Sequence, residues 1–299
     1  MNMLVLLRRW ALAAVLALSP MGAAMADLDE IMARGELRHL GIPYAHFVTG
    51  AGDGLDVELV RGFAEHIGVR YKLVYSDFYN VIRDLLGKDV ARRDGKVELV
   101  GEFPVKGDMI AAGFTMLPWR EQVLLYSHPT FPSQVLLVAP AASETRPIEG
   151  SDDLSRDIVE TKGLIGDQRL LVMERTCLDP ANYGLKDRGI NLRSYTRSSN
   201  INEMAPTLLA GEADLTLLDV PDVILDLQKW AGKIKVVGPI SSHQNLAAAF
   251  PKDSPQLREA YNDYLDQLVA SGEYKRLVDK YYPGIESWFP EFFAAKSAD

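Results

Sequence analysis

Two side chains suited to binding a carboxylate lie directly after an apolar stretch in the first half of the chain. Residues 109–114 are almost all small or apolar, the pattern of a strand buried on both faces of a parallel sheet. Thr115, Pro118 and Arg120 follow it. Ligands of open α/β sheets bind where strands end, and arginine can grip a carboxylate with two hydrogen bonds. We therefore predict a carboxylate site here, with a surface arginine as the alternative.

An acidic residue ends a second buried strand in the other half of the chain. Asp219 closes the apolar run that starts at Ala213. A guanidinium on one wall and a carboxylate on the other would match the two charges of a zwitterion. Asp219 also precedes Pro221 and is suited to cap a helix that begins there, and the two roles are compatible.

Three aromatic residues follow predicted strands in the first half of the chain. They are Tyr44, Phe47 and Phe78. Flat apolar rings at strand ends can hold the side chain or the methylene body of a ligand. Packing in the core is the alternative for each of them. We expect all three to line the ligand site.

The elements that must position these residues alternate between strands and helices. The first half predicts a strand at 37–40, a helix capped by Asp56, a strand at 70–75, a helix at 79–86 and the buried run itself. A similar set follows between 154 and 230. Extended segments near 130–134 and 242–246 connect the two sets. We expect an α/β protein of two lobes that closes on a ligand by a hinge.

We predict that residues 27–132 and 245–299 form lobe 1 and that residues 133–244 form lobe 2. Residues 87–105 interrupt the αβ pattern of lobe 1 and predict a surface hairpin that turns at 93–95. Its residues Arg92 and Arg93 are interpreted as a solvated tip rather than a binding patch.

The amino-terminal residues 1–26 have the pattern of a cleaved secretory signal. Arg8 and Arg9 precede an apolar run, and small residues precede Asp27. An uncleaved membrane anchor is the alternative. No cysteine lies near the cleavage site, so we expect a periplasmic protein that is not a lipoprotein.

Composition excludes several classes of partner. The formal net charge is −9, and loss of the signal with its two arginines makes it −11. An acidic chain is a poor partner for nucleic acid or for an anionic membrane. Cys177 is the single cysteine, and the five histidines have no metal-ligand spacing. We expect no disulfide, no bound metal and no cofactor.

The motif at 113–120, Gly-Phe-Thr-Met-Leu-Pro-Trp-Arg, resembles one found in periplasmic solute-binding proteins, family 3, which serve polar amino-acid ABC transporters. Tyr126-Ser127-His128-Pro129 resembles the segment that follows it, and residues 54–58 resemble the family's helix start. The resemblance covers Leu28 to about Pro283. It implies the two-lobed type II periplasmic-binding-protein fold, with a small ligand held between the lobes.

The resemblance also implies roles for particular residues. Gly113, Thr115 and Arg120 would hold the ligand's amino and carboxylate groups, Phe78 would stack on the ligand, and Asp219 would bind its ammonium group. Thr176 is expected to line the lobe-2 wall. There are departures: Leu117 replaces the second threonine of the motif, and Arg175 stands where the family has glycine.

We therefore expect a monomeric receptor, not an enzyme, that passes a zwitterion or carboxylate to an ABC-type permease. No serine or cysteine forms a nucleophile pattern with a histidine and an acid, so no catalytic residue is predicted. The alternatives are a dehydratase-like periplasmic enzyme, with Glu174 or His46 as acid or base, and a ligand-sensing module.

Overall fold

The structure is a computed structural model that describes residues 27–93 and 96–296. The predicted signal peptide, residues 1–26, lies outside the described residues, as do residues 94–95 of the predicted hairpin turn. The chain folds into two lobes, each built on a five-stranded sheet with flanking helices. This confirms the predicted α/β class and the two-lobed type II periplasmic-binding-protein fold.

The first sheet has the strand order β2-β1-β5-β14-β6. Three neighbouring strands, β2, β1 and β5, run parallel, while β14 is antiparallel to both of its neighbours. Their carboxyl ends therefore deliver the following loops to one edge of the sheet. The strands are β1 (Glu36–Gly41), β2 (Arg70–Tyr75), β5 (Met109–Ile110), β6 (Leu124–Tyr126) and β14 (Ala249–Pro251).

The second sheet has the order β10-β9-β11-β8-β12. Strands β10, β9 and β11 are parallel, and β8 is antiparallel to β11 and β12. Every residue of β11 is buried, as its apolar sequence predicts. The strands are β8 (Val135–Pro140), β9 (Leu170–Val172), β10 (Leu192–Ser194), β11 (Leu215–Asp219) and β12 (Ile234–Pro239).

The two connections between the lobes are paired with each other. Strand β7 (Phe131–Ser133) and strand β13 (Gln244–Leu246) form an antiparallel two-stranded ribbon. Both predicted crossings fall in this ribbon, which confirms the predicted pair of hinge segments. The predicted lobe boundaries at 132/133 and 244/245 also lie within it and stay a prediction.

The helices cover the two sheets and begin or end at residues with clear capping signals. Helix α1 starts with a capping box between Asp27 and Glu30 and ends at Gly35 in the left-handed region. The others are α2 (Leu55–His66), α3 (Val81–Leu86), α4 (Pro118–Glu121), α5 (Leu154–Gly163), α6 (Met204–Leu209), α7 (Val220–Lys229), α8 (Pro255–Ser271), α9 (Glu273–Tyr281) and α10 (Pro290–Lys296), with α1 at Leu28–Arg34.

Short 3₁₀ turns occur at Pro180–Tyr183, Ile201–Glu203 and Ile285–Ser287. Within residues 27–93 and 96–296, no helix combines the length and apolar composition that crossing a membrane requires.

Two local predictions need correction. The predicted strand at 109–114 ends after Ile110, because the backbone turns to a left-handed conformation at Gly113, with φ of 58°. Asp56 was predicted to cap helix α2, but the cap position is Gly54 and Asp56 is a buried residue inside the helix. A hydrogen bond from the Gly113 N–H to the Asp56 carboxylate connects these two segments.

The predicted hairpin is confirmed. Strands β3 (Asp89–Arg93) and β4 (Lys96–Val100) pair antiparallel, with Arg93 opposite Lys96. The interpretation of its arginines as a solvated tip is wrong for Arg92, which reaches the opposite lobe and forms an ion pair with Asp179 at 3.7 Å. Its guanidinium also lies 4.8 Å from the ring centre of Trp119. The hairpin therefore belongs to the wall of the cleft.

Candidate functional site

Arg120 is a buried cation without a carboxylate partner among the described residues. It lies in helix α4 and is 1% exposed. Its Nη1 donates a hydrogen bond to the Thr115 carbonyl oxygen at 2.9 Å, and its Nε has no hydrogen-bond partner. The guanidinium lies 3.9 Å from the ring centre of Phe114. Burial lowers the pKa of Arg120, although arginine stays charged.

Gly113 is held in place by the carboxylate of Asp56. The Gly113 N–H donates to Asp56 Oδ2 at 2.6 Å. A side chain at Gly113 has no room, since a Cβ would lie 2.4 Å from Cδ2 of Phe47. Burial raises the pKa of Asp56 to about 7, and the hydrogen bond from Gly113 opposes that rise. This contact and the packing of Phe47 fix the backbone at Gly113, two residues before Thr115.

Asp219 lies at the cap position of helix α7, but its side chain makes no capping hydrogen bond. Its carboxylate instead accepts a hydrogen bond from the Tyr44 hydroxyl of lobe 1 and one from Cys177 Sγ at 3.5 Å. Burial raises the pKa of Asp219. Burial and the charge of Asp219 raise the pKa of Asp222, one oxygen of which has no hydrogen-bond partner.

Cys177 is a buried free cysteine whose thiol donates to the carboxylate of Asp219. Burial raises the pKa of this thiol well above its usual value, so it stays protonated and donates to Asp219. The described contacts thus join Tyr44 of lobe 1 to Asp219 of lobe 2. That Arg120 and Asp219 hold one ligand stays a prediction.

The predicted aromatic residues lie in different surroundings. Tyr44 is stacked on Phe47 with ring centres 5.7 Å apart, and Phe47 is fully buried against Phe131 and Tyr282. Phe78 contacts the edge of Tyr44 at 5.6 Å and lines a cavity between the lobes. Of the three, Phe78 is the one placed along that cavity.

The lobe-2 loop after β9 keeps a glycine-like shape despite its sequence. Arg175 has φ of 64°, a conformation that favours glycine. The hydroxyl of Thr176 is used within this loop, donating to the Met173 carbonyl oxygen at 2.7 Å and accepting from Leu178 N–H at 3.0 Å. The Arg175 side chain crosses to lobe 1, where Nη2 donates to the Tyr79 carbonyl oxygen at 3.2 Å.

A cavity of about 470 Å³ lies between the lobes beside these residues. Phe78 and Trp119 line it from lobe 1, hairpin residues such as Arg92 line it from the same side, and Arg175 lines it from lobe 2. The residues predicted to hold the ligand's amino and carboxylate groups form what we call the head-group region: Gly113, Thr115, Arg120 and Asp219. They are buried and do not line this cavity, so the head-group region is closed in this conformation.

Sequence reasoning missed several residues of the site. Tyr126 donates to the Thr115 carbonyl oxygen at 3.2 Å and Tyr183 donates to the Cys177 carbonyl oxygen at 2.5 Å. The ring centre of Trp119 lies 4.8 Å from the guanidinium of Arg92 and 5.3 Å from that of Arg120. The position of Trp119 beside Arg120 in the motif is a usable signal, and so is the place of Tyr126 in the segment 126–129, whereas Tyr183 follows no pattern in the sequence.

These features define a two-lobed binding protein with its charged groups between the lobes. The model of bacterial extracellular solute-binding proteins, family 3, matches residues 105–284. The chain therefore belongs to this family, as the resemblance at 113–120 implied.

Solved structures support the fold. The P235GK mutant of ArgBP from T. maritima is 25% identical, with a TM-score of 0.67 over 85% of this chain and 98% of that chain. The ancestral amino-acid-binding protein AncCDT-1, described as a precursor of cyclohexadienyl dehydratase, is 22% identical, with a TM-score of 0.63 over 85% of this chain and 98% of that one.

Curated relatives carry the name of an enzyme. The membrane-bound lytic murein transglycosylase F of Desulfosudis oleivorans is 25% identical over 236 residues, which are 79% of this chain and 45% of that protein. The chain spans about half the length of the curated relatives it matches. The expectation that the chain is not an enzyme is contradicted by these names and by the dehydratase precursor.

The two residues named as an acid or base differ in position. Glu174 lines the cavity between the lobes and forms an ion pair with Lys186 at 3.6 Å. His46 does not line that cavity, and its Nδ1 lies 2.9 Å from the Tyr281 carbonyl oxygen.

Proposed function

We propose that the chain is an exported receptor that captures a polar amino acid or a related zwitterion between its lobes and delivers it to an ABC-type membrane permease. Its membership of family 3 and its likeness to amino-acid-binding structures support this function. The cleaved signal, the periplasmic location, the monomeric state and the permease partner are parts of the same proposal.

The buried cation of Arg120 is the observation that carries the proposal. An unpaired charge inside a protein costs several kcal/mol, on the order of the whole stability of a small domain, and so calls for an anion. Arg120 is 1% exposed and forms no ion pair with any described residue. A ligand carboxylate would supply the missing charge and take up the free donor at Nε.

Asp219 supplies the complementary half of the proposed site. Its carboxylate is held by the hydroxyl of Tyr44 and the thiol of Cys177, both neutral donors. A ligand ammonium group would bring a full positive charge and replace the weaker of these bonds. The lobes must separate before a ligand can bind here, because the hydrogen bond from Tyr44 of lobe 1 to Asp219 of lobe 2 closes the head-group region.

The proposal is tested by calorimetry with a ligand found in a thermal-shift screen of amino acids, sugars, polyamines and organic acids. Arg120→Ala should weaken binding by about 100-fold or more, since the ligand carboxylate would be buried without a partner. Arg38→Ala is the matched control, because Arg38 pairs with Asp108 away from the cleft and should leave affinity unchanged. Unchanged affinity in Arg120→Ala would refute the site.

Asp219→Asn separates the two halves of the head group. It should weaken an amine-bearing ligand and leave a plain carboxylate of the same size unaffected, because only the amine needs the negative charge. Equal losses for both ligands would show that Asp219 acts through the fold.

A second candidate is acid–base chemistry in the same cleft. The enzyme names of the curated relatives favour it, and so does the place of the Glu174 carboxylate on the cavity wall. A ligand recovered chemically altered after incubation would support it. Glu174→Gln should then stop the conversion and keep the binding, and a ligand recovered intact in every case would refute it.

A further inference from the structure

The cavity between the lobes carries more positive than negative side chains, in a chain whose net charge is −9. Five basic and three acidic residues line it. Each of the three acids already has a basic partner, in the ion pairs Asp89–Arg175 at 3.7 Å, Asp179–Arg92 at 3.7 Å and Glu174–Lys186 at 3.6 Å. Two of the five basic side chains that line the cavity therefore have no acidic partner there.

The remaining cations are Arg83 and Lys96. Neither forms an ion pair within the part of the chain that the structure describes, and the Arg83 guanidinium instead lies 4.8 Å from the ring centre of Phe103. Arg83 is half-buried on helix α3 and Lys96 is exposed at the start of β4. An anion entering the cavity would thus meet two cations without displacing any carboxylate.

Flat apolar surface lies beside these cations. Phe78, Tyr79 and Trp119 line the same cavity. At about 470 Å³ it has room for roughly fifteen water molecules, more than one short side chain fills. The space therefore fits a flat or apolar spacer with a charged group at its end.

We infer that this cavity receives a second anionic group of the ligand, carried on an apolar or aromatic spacer from the amino-acid head group. The ligand class is thus a zwitterion with an additional carboxylate rather than a basic amino acid. The inference rests on the proposed function, because it assumes that Arg120 and Asp219 hold the head group. It separates this chain from neighbours whose names indicate arginine binding.

The test compares three probes that share one head group and one ring: L-phenylalanine, 4-carboxy-L-phenylalanine and 4-aminomethyl-L-phenylalanine. Calorimetry should give the carboxy probe an affinity about tenfold above that of phenylalanine, and the aminomethyl probe the weakest binding. In Arg83→Gln/Lys96→Gln the advantage of the carboxy probe should fall to about threefold or less.

Lys88→Gln/Arg93→Gln is the matched control. It removes the same amount of charge from neighbouring residues that do not line the cavity, so the advantage should persist. The inference is overturned if the aminomethyl probe binds as well as the carboxy probe, if the advantage survives in Arg83→Gln/Lys96→Gln, or if none of the probes binds. Failure of the proposed function is seen separately, as unchanged affinity of the screened ligand in Arg120→Ala. Thermal melting of each variant confirms that it is folded.

Discussion

The head-group region and the neighbouring cavity differ in how their charged side chains are buried and paired. In the head-group region, Arg120 and Asp219 are each 1% exposed and are held by neutral groups. In the cavity, all three acidic side chains pair with basic ones, as Asp89 does with Arg175 across the lobes, and two partly or fully exposed cations, Arg83 and Lys96, have no ion pair among the described residues. Buried unpaired charge demands a ligand, whereas exposed paired charge adjusts which ligand is accepted and how firmly the lobes close.

The backbone of the head-group region should tolerate almost no change. Gly113→Ala places a methyl group 2.4 Å from the fully buried Phe47 ring. It also forces alanine into the left-handed backbone conformation that Gly113 adopts, with φ of 58°. We expect a loss of about 2–4 kcal/mol in the free energy of unfolding, measured by urea denaturation.

Gly35→Ala is the matched control for this substitution. It has a similar φ of 68° but nothing within 4 Å of the new methyl group, so about 1 kcal/mol is expected. Equal losses for the two variants would mean that φ alone, and not contact with Phe47, constrains Gly113.

The free energy of unfolding should depend on pH through Asp56, which accepts a hydrogen bond from Gly113 of the head-group region. The folded-state pKa of Asp56 is about 7 against an ordinary 3.8, so the folded protein binds more protons than the unfolded chain between these values. Stability of the natural protein should fall as pH rises through this window, by on the order of 2–3 kcal/mol between pH 5 and 8.

Asp56→Asn keeps an acceptor for the Gly113 N–H and removes the titration. Urea unfolding at pH 5 and pH 8 should show this variant gaining stability relative to the natural protein as pH rises. Parallel pH curves for Asp56→Asn and the natural protein would contradict the assigned role.

The smallest effect is expected at the ion pair that crosses the cavity. A double-mutant cycle with Asp89→Asn and Arg175→Gln should give a coupling of about 0.2–1 kcal/mol in ligand affinity, since both side chains are partly exposed. Lys275 and Asp279 form an ion pair within helix α9, and a cycle there should show no coupling in affinity. A coupling above 2 kcal/mol would show that this ion pair contributes to ligand affinity as strongly as a buried charge, as expected only for the head-group region.

The contrast also explains how much was predictable from sequence. Arg120 follows one apolar strand and Asp219 ends another, and ligands of α/β sheets bind at strand ends, so both residues could be proposed as ligand-binding from the sequence. The hydrogen bond between Asp56 and Gly113 joins residues 57 positions apart, and no pattern in the sequence indicates it. A good cap residue in a helix start was therefore misread as a cap.

The hairpin shows the limit of local reasoning most clearly. Its two strands and turn follow from alternation and from turn residues, and β3 and β4 pair as predicted. The direction in which it leans does not follow from them, because Arg92 gains its role only from Asp179 and Trp119 in distant segments. A charged loop residue has the same local pattern whether it meets water or another lobe.

The pairing of β7 with β13 limits how the lobes can move. Two separate linkers would let one lobe twist, slide and bend relative to the other, but strands joined by hydrogen bonds from Phe131–Ser133 to Gln244–Leu246 move as one ribbon. Such a ribbon bends easily across its plane and resists shear within it. We therefore expect opening to follow a single angular coordinate, which one pair of spectroscopic labels, one on each lobe, would be enough to measure.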